Sequence, residues 1–312
     1  MNFYFREGLT WSSLTSAKFS IRYSPMGFIF DTKGPSLFTK LDIISYLVAY
    51  LNSKVLEHLI KIISPTIDYN PGQLANIPIQ EISDTIILEK IETLAQENID
   101  ISKEEWGSRE TSWDFKVNEL IKYKDDSNKL DVAFKNYCEH WKEKFFKLHE
   151  NEEELNQLFI DIYDLNDELD NKVPLSEITI LKDEVKERKE NELVFKKEVI
   201  VKQFLSYVVG CMFGRYNPEQ EGLILANQGE TIDDFKLESK FKPDEDNIIP
   251  ITDRDYFPDD IVGNVKIFLK TYFGENNITE NLDFIASGLK GSGSPEEKLR
   301  RYFLKDFFKD HY

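Results

Sequence analysis

Phe19-Ser20-Ile21-Arg22-Tyr23-Ser24-Pro25-Met26-Gly27-Phe28-Ile29-Phe30 carries the decisive pattern of the chain. Phe19, Ile21 and Tyr23 alternate with Ser20, Arg22 and Ser24, the two-residue period of a half-buried strand. Pro25 and Gly27 occupy turn positions, and Gly27-Phe28-Ile29-Phe30 is expected to return as a second strand. Asp31-Thr32-Lys33-Gly34-Pro35 is a further turn. The period then changes: Ile44, Leu47, Val48, Leu51, Val55, Leu59 and Ile62 keep the i, i+3, i+4, i+7 spacing of one amphipathic helix near 41–63, stopped by Ser64-Pro65. Pro71-Gly72 and Pro78 bracket a short extended piece ending in Ile77-Pro78-Ile79.

Beyond residue 84 the chain turns charged and helical. Ile87, Ile91 and Leu94 form one stripe, and Ser102-Lys103-Glu104-Glu105 has the form of a capping box. Residues 130–150 and 151–169 predict two helices, the second opening at Asn151 with acidic residues that suit a positive helix end. Val194 to Phe213 is the most apolar helix, 215–260 is loop-dominated, and Val262 to Phe273 is helical again. Ser294-Pro295-Glu296-Glu297 starts the last helix, which buries Leu299, Phe303 and Phe307. The expected class is therefore α+β: a small mixed β/α lobe over 1–80, a helical spacer over 81–175, and a mainly helical domain over 176–312. The chain stops inside an aromatic-rich pattern, so a continuation past Tyr312 is expected.

The 312 residues are 41% hydrophobic, 13% aromatic and 31% charged, enough for about two folded cores. No apolar run is long enough to span a membrane, and no secretory pattern opens the chain. Two distant cysteines, Cys138 and Cys211, exclude a disulfide framework and a zinc ribbon and suit a reducing cytoplasm. The net charge of −18 is uneven. Residues 1–80 hold seven basic against five acidic side chains, net +2, whereas the remainder carries 32 against 52, net −20. A duplex repels an acidic surface, so any nucleic-acid contact belongs to the N-terminal lobe.

A search for reaction chemistry finds no complete site. The four histidines, His58, His140, His149 and His311, show no metal-ligand spacing. There is no phosphate-binding GxxxxGK[ST] loop, no GxGxxG after a strand and no nucleophile elbow. Gly291-Ser292-Gly293 reads as a loop between helices. The acidic clusters at 243–246 and 258–260 lack the E-x-K partner of a metal-dependent nuclease. Asn70-Pro71-Gly72 and Asn217-Pro218-Glu219 start like an amino-methyltransferase loop but lack its second proline and aromatic residue. What remains is the interleaving of Phe3, Tyr4, Phe5, Trp11, Phe19, Tyr23, Phe28 and Phe30 with Arg6, Lys18, Arg22 and Lys33, plus nearby hydroxyls. That mixture suits phosphate positioning and base-edge readout; it also suits aromatics in a core with cations on its surface.

Particular strings are more specific. Phe5-Arg6-Glu7-Gly8-Leu9-Thr10-Trp11-Ser12, Arg22 to Asp31, Leu51-Asn52-Ser53-Lys54 and Gly72 to Ile79 resemble the target-recognition region of large adenine DNA methyltransferases, including type I and type IIG restriction-modification proteins. Ser112-Trp113-Asp114-Phe115, Glu153 to Leu165, Gly210 to Tyr216, Gly222-Leu223-Ile224, Ile249-Pro250-Ile251 and Tyr256 to Val262 narrow it. In that order they resemble the C-terminal portion of the PglX-type adenine-specific methyltransferases of BREX phage-defence systems.

The resemblance implies a parent enzyme that transfers a methyl group from S-adenosylmethionine to adenine N6 in double-stranded DNA, flipping the base to do so. The Asn/Asp-Pro-Pro-aromatic loop and the glycine-bearing cofactor motif are missing here and are expected upstream of Met1. The chain is accordingly expected to hold no cofactor and to have no turnover alone. It would be a recognition and scaffold fragment working with an upstream methyltransferase domain and other phage-defence subunits. Within it Lys18, Arg22, Lys33 and Lys40 are the candidates for phosphate or guanine contacts, and Ser12, Asn70 and Gln73 for polar readout. The competing reading is a protein-interaction module whose acidic helices dock other defence subunits, with negligible DNA binding.

Overall fold

The computed structural model describes residues 3–39, 43–64, 66–189, 191–235 and 238–311. The fold is α+β, as expected: helices predominate beside two small antiparallel sheets. The chain packs as two compact units, Met1–Lys103 with Lys144–Thr179 and Glu104–Glu143 with Ile180–Tyr312. The division falls within the two longest helices, so neither unit is contiguous in sequence.

The first unit holds a three-stranded sheet of β1 (Gly8–Trp11), β2 (Ile21–Ser24) and β3 (Ser36–Leu37), in the order β2-β1-β3. Thr10 lies opposite Arg22 on one side and Ser36 on the other, while Leu9 lies opposite Tyr23 and Leu37. The return strand expected at 27–30 does not form. Gly27 takes φ +103°, a conformation that favours glycine, and its N–H bonds the Phe5 carbonyl at 3.2 Å. The Phe5 N–H in turn bonds the Phe28 carbonyl at 2.9 Å, so the turn is tied to the residues before β1 and β2 pairs with β1 instead.

The single helix expected near 41–63 is two, α1 (Ile44–Leu51) and α2 (Lys54–Ile63). The apolar spacing runs on through the break, but Ser53 is extended at ψ 160° and its Oγ accepts the Leu56 N–H, capping α2. Asn52, just before it, stands beside β2: its Oδ1 accepts the Ile21 N–H at 3.0 Å. Its Nδ2 donates to the Ile21 carbonyl at 2.9 Å and to the Val48 carbonyl at 2.8 Å. One amide thus replaces a missing strand neighbour for Ile21 and ties the helix corner to the sheet. α3 (Pro71–Leu74) follows, so the stretch expected to be extended opens instead as a helix capped by Asn70, passes through a turn at 75–76, and reaches Ile77-Pro78-Ile79 without forming a strand. The Pro78 carbonyl accepts the hydroxyls of Tyr50 at 2.7 Å and Tyr163 at 2.8 Å, whose rings stack 5.2 Å apart.

α4 (Thr85–Gly107) starts on Asp84, whose Oδ1 accepts the Ile86 and Ile87 amides. The capping box read at Ser102 therefore opens nothing; it lies inside α4. α5 (Glu119–Lys122) belongs to the second unit, and α6 (Leu130–Ile162) is one 33-residue helix where two were expected. Asn151 is only 1% exposed and spends its Nδ2 on Glu97 and Asn98, so it is a buried mid-helix bond rather than a cap. The core beneath the sheet gathers Leu9, Trp11, Ile21, Tyr50, Val55, Leu56, Ile60, Ile91 and Phe159.

In the second unit a hairpin of β4 (Val185–Lys189) and β5 (Glu192–Phe195) takes Val194 and Phe195 out of the expected helix, and α7 (Lys197–Met212) begins after them. Among the described residues a bridge between Asn217 and Gln220 and a 3₁₀ turn at Ile232–Asp234 interrupt the loops before α8 (Ile261–Phe273). α9 (Ile278–Ser287), α10 (Pro295–Lys305) and α11 (Phe307–Asp310) close the chain. α10 opens as read, with Ser294 and Glu297 exchanging capping bonds and proline at the first helical position. Phe307, however, lies in α11 and is only half-buried. Asp260 is 1% exposed; it caps α8 and grips Arg300 through two bonds of 2.6 and 2.7 Å. Buried aromatics Trp141, Tyr207, Phe204, Phe268 and Phe273 form the core.

Candidate nucleic-acid interface

In β1 Leu9 and Trp11 are buried and Thr10 between them is half-exposed. The register then sets Arg22, Thr10 and Ser36 in one row across the outer face of the sheet. Arg22 is exposed, and among the described residues it makes no ion pair.

Just beyond β1, the segment 11–15 runs between two others. On one side Trp11 and Ser13 donate their amides to the carbonyls of Pro35, at 3.3 Å, and Lys33, at 3.0 Å. On the other, the Thr15 amide bonds Ile67 O and the Tyr69 amide bonds Ser13 O, while Trp11 Nε1 donates to the Tyr69 carbonyl at 2.8 Å. Ser12 and Lys33, both exposed, are thereby neighbours of the sheet's outer row, and Asn70 follows directly on the other flank. Asp31 shapes the 31–35 turn by accepting the amides of Lys33 and Gly34, each at 2.7 Å; those two bonds hold its carboxyl below the ordinary value.

The other candidates are differently placed. Lys18 lies between two carboxylates, Glu57 at 3.0 Å and Glu177 at 2.8 Å. Partial burial lowers its pKa, yet the bonds and charges of those two glutamates outweigh this and leave it raised. Its charge is locally cancelled, so it offers a phosphate far less than Arg22 or Lys33. Asn70 and Gln73 form a reciprocal capping box at α3: Asn70 Oδ1 accepts the Gln73 amide at 3.2 Å and Gln73 Oε1 the Asn70 amide at 3.1 Å. Their carbonyl oxygens are occupied, leaving the NH₂ ends for any further contact. Lys40 lies outside the described residues.

Thr10 and Ser36 join this group only through the strand register. Thr10, with Ser12, Ser13, Thr15 and Ser16, is one of the hydroxyls beside the N-terminal aromatics; nothing in the local sequence marks Ser36. Tyr23, on β2, donates its hydroxyl to Glu7. Burial, with that glutamate, pushes the phenol up to about 12. No cluster of metal-ligating side chains occurs among the described residues.

No family model matches the chain. It is 38% identical over 317 residues to the adenine-specific methyltransferase PglX of Lacticaseibacillus casei (strain Zhang), an alignment covering 99% of this chain and 25% of that protein. It is 32% identical over 328 residues to the adenine-specific methyltransferase BrxX of Escherichia coli O9:H4 (strain HS), covering 99% of this chain and 26% of that protein. The resemblance read from the ordered strings thus holds along essentially the whole chain, which spans about a quarter of the length of the curated relatives it matches.

Proposed function

We propose that this chain, similar throughout to one quarter of a PglX-type adenine-specific methyltransferase, supplies DNA target recognition and a helical scaffold to such an enzyme. The reaction served is transfer of a methyl group from S-adenosylmethionine to adenine N6 in duplex DNA, in phage defence or restriction-modification. The single observation that carries the recognition role is the outer face of the first sheet. It presents Arg22 unpaired among the described residues, in line with Thr10 and Ser36 and beside Ser12 and Lys33. Guanidinium, ammonium and hydroxyl groups of this kind position phosphates and read base edges.

The catalytic step belongs to the other three quarters of the parent. This chain's two Asn-Pro pairs do not fit the methyltransferase loop. Asn70 is committed to its capping box. Asn217 is 2% exposed, accepts the Glu219 amide at 2.8 Å and donates to Ser239 at 2.6 Å. Neither presents an unoccupied amide carbonyl to the amine of a flipped adenine, and no glycine-bearing cofactor motif occurs in the sequence. S-adenosylmethionine is therefore bound elsewhere in the parent. The scaffold serves by holding the recognition lobe; the anchor at Asn52 and the Pro78 carbonyl are its joints within the first unit.

A chimera tests the proposal. This chain replaces the matching quarter of the Lacticaseibacillus casei protein, and methylated sites are mapped by sequencing. A methylated sequence that changes with the graft supports recognition by these residues. Methylation at the unaltered sites would refute it.

A further inference from the structure

The loop that failed to become a strand is the most conspicuous apolar surface of the first unit. Met26 is 75% exposed, Phe28 55% and Ile29 69%. It is not a loose loop. Two backbone bonds fasten Gly27 and Phe28 to Phe5, and Phe30 packs on Tyr4 and Phe38 at 5.2 and 5.3 Å. The base is thus braced on aromatic rings while three large apolar side chains project from it. Exposing such groups is costly unless they meet something.

The surroundings indicate what they meet. The loop leaves the sheet at the Gly8–Ser24 end, directly after the strand that carries Arg22. Arg6, exposed and 5.6 Å above the Phe3 ring, precedes β1 at that same end. Over residues 3–39 the cations Arg6, Arg22 and Lys33, with Lys18 held by Glu57 and Glu177, stand against two carboxylates. Both are already engaged: Glu7 by the Tyr23 hydroxyl, Asp31 by two amides. An apolar wedge on a braced base beside free guanidinium groups suits duplex DNA in charge, and Met, Phe and Ile are among the side chains that enter between base steps.

We propose that Met26, Phe28 and Ile29 form a wedge that enters the base stack of the bound duplex, occupying space vacated when a base unstacks. This rests on the recognition role proposed above and adds a deformation step to it. Unstacking costs free energy that a damaged site has already spent, so a wedge prefers a duplex with a gap.

The test compares anisotropy titrations of the full chain against a mixed-sequence duplex and the same duplex with one central abasic site. Tighter binding to the abasic duplex by about 10-fold, lost in Met26→Ser/Phe28→Ser and kept in Phe28→Leu, supports the wedge. Equal affinity for the two duplexes overturns the wedge and leaves recognition standing. Binding to neither overturns recognition as well, and the apolar loop is then a protein-facing surface. The altered side chains are exposed, so circular dichroism of the variants should match the unsubstituted chain.

Discussion

Asn52→Ala tests whether one side chain joins the helical corner to the recognition sheet. Asn52 makes three bonds to main-chain groups, two to Ile21 and one to Val48, at 2.8 to 3.0 Å. Ile21 is 3% exposed, so its N–H and carbonyl depend on that amide for partners. A net hydrogen bond is worth roughly 0.5–1.5 kcal/mol and an orphaned buried group costs roughly 1–3 kcal/mol. Water reaches part of the vacated space, because Asn52 itself is exposed. A local loss of about 2 kcal/mol follows, which speeds exchange of protected amides about 30-fold where exchange follows the opening equilibrium. The assay is hydrogen exchange by mass spectrometry on a peptide spanning β2, with an α8 peptide as the internal control. Asn52→Asp adds a second arm. It keeps the acceptor for the Ile21 amide but places carboxylate oxygens against two carbonyls, so its defect should shrink in acid as the group protonates. Acceleration below threefold in β2, or equal acceleration in α8, would refute the anchoring argument.

Three further outcomes follow from the same structure. Glu57→Gln/Glu177→Gln frees Lys18 from both its partners, and duplex affinity should rise severalfold with a steeper salt dependence, read by anisotropy. Burial, reinforced by Glu177, pushes the Glu152 carboxyl up to about 7, so the folded state binds that proton more tightly than the unfolded chain does. Stability tied to it is present below about pH 4.5 and lost as pH rises through 7; Glu152→Gln should stabilise the fold by about 1–2 kcal/mol at pH 8, read as a higher melting temperature, and change little at pH 4.5. Asp260→Asn keeps a cap for α8 but leaves Arg300 without its carboxylate, costing about 3 kcal/mol in urea unfolding of the second unit.

The elements legible in the sequence were those written in local chemistry. Ser294-Pro295-Glu296-Glu297 contains its own cap, proline and partner glutamate, and the helix forms where those residues put it. The alternation around Arg22 likewise gave a strand with that arginine outward. Where the deciding partner was distant, the local pattern misled. The apolar spacing from Ile44 to Ile62 does not register that Asn52 bonds Ile21, 31 residues away. Asn151 looks like a helix start until Glu97 and Asn98 take its amide. The turn at Pro25 suggested a hairpin because Phe5, which ties it down, lies on the other side of β1. The same distinction separates the candidate contacts. The exposure of Arg22 and Lys33 is legible from their own strand and turn, while the cancellation of Lys18 requires Glu177, 159 residues on. Asn70-Pro71-Gly72-Gln73 carries the Asn-x-x-Gln pattern of a capping box, and the box forms where the Asn-Pro pair resembles a methyltransferase loop.

The most direct measurement is the affinity of this chain for a mixed-sequence duplex as salt is raised from low to physiological concentration, read by fluorescence anisotropy, with Arg22→Ala/Lys33→Ala alongside. The account predicts binding that weakens with a log–log slope of about −2 to −3, from Arg22, Lys33 and Arg6 on phosphates, and a slope shallower by about two in the double variant. An absence of binding at low salt, or a slope unchanged by the two substitutions, would contradict it.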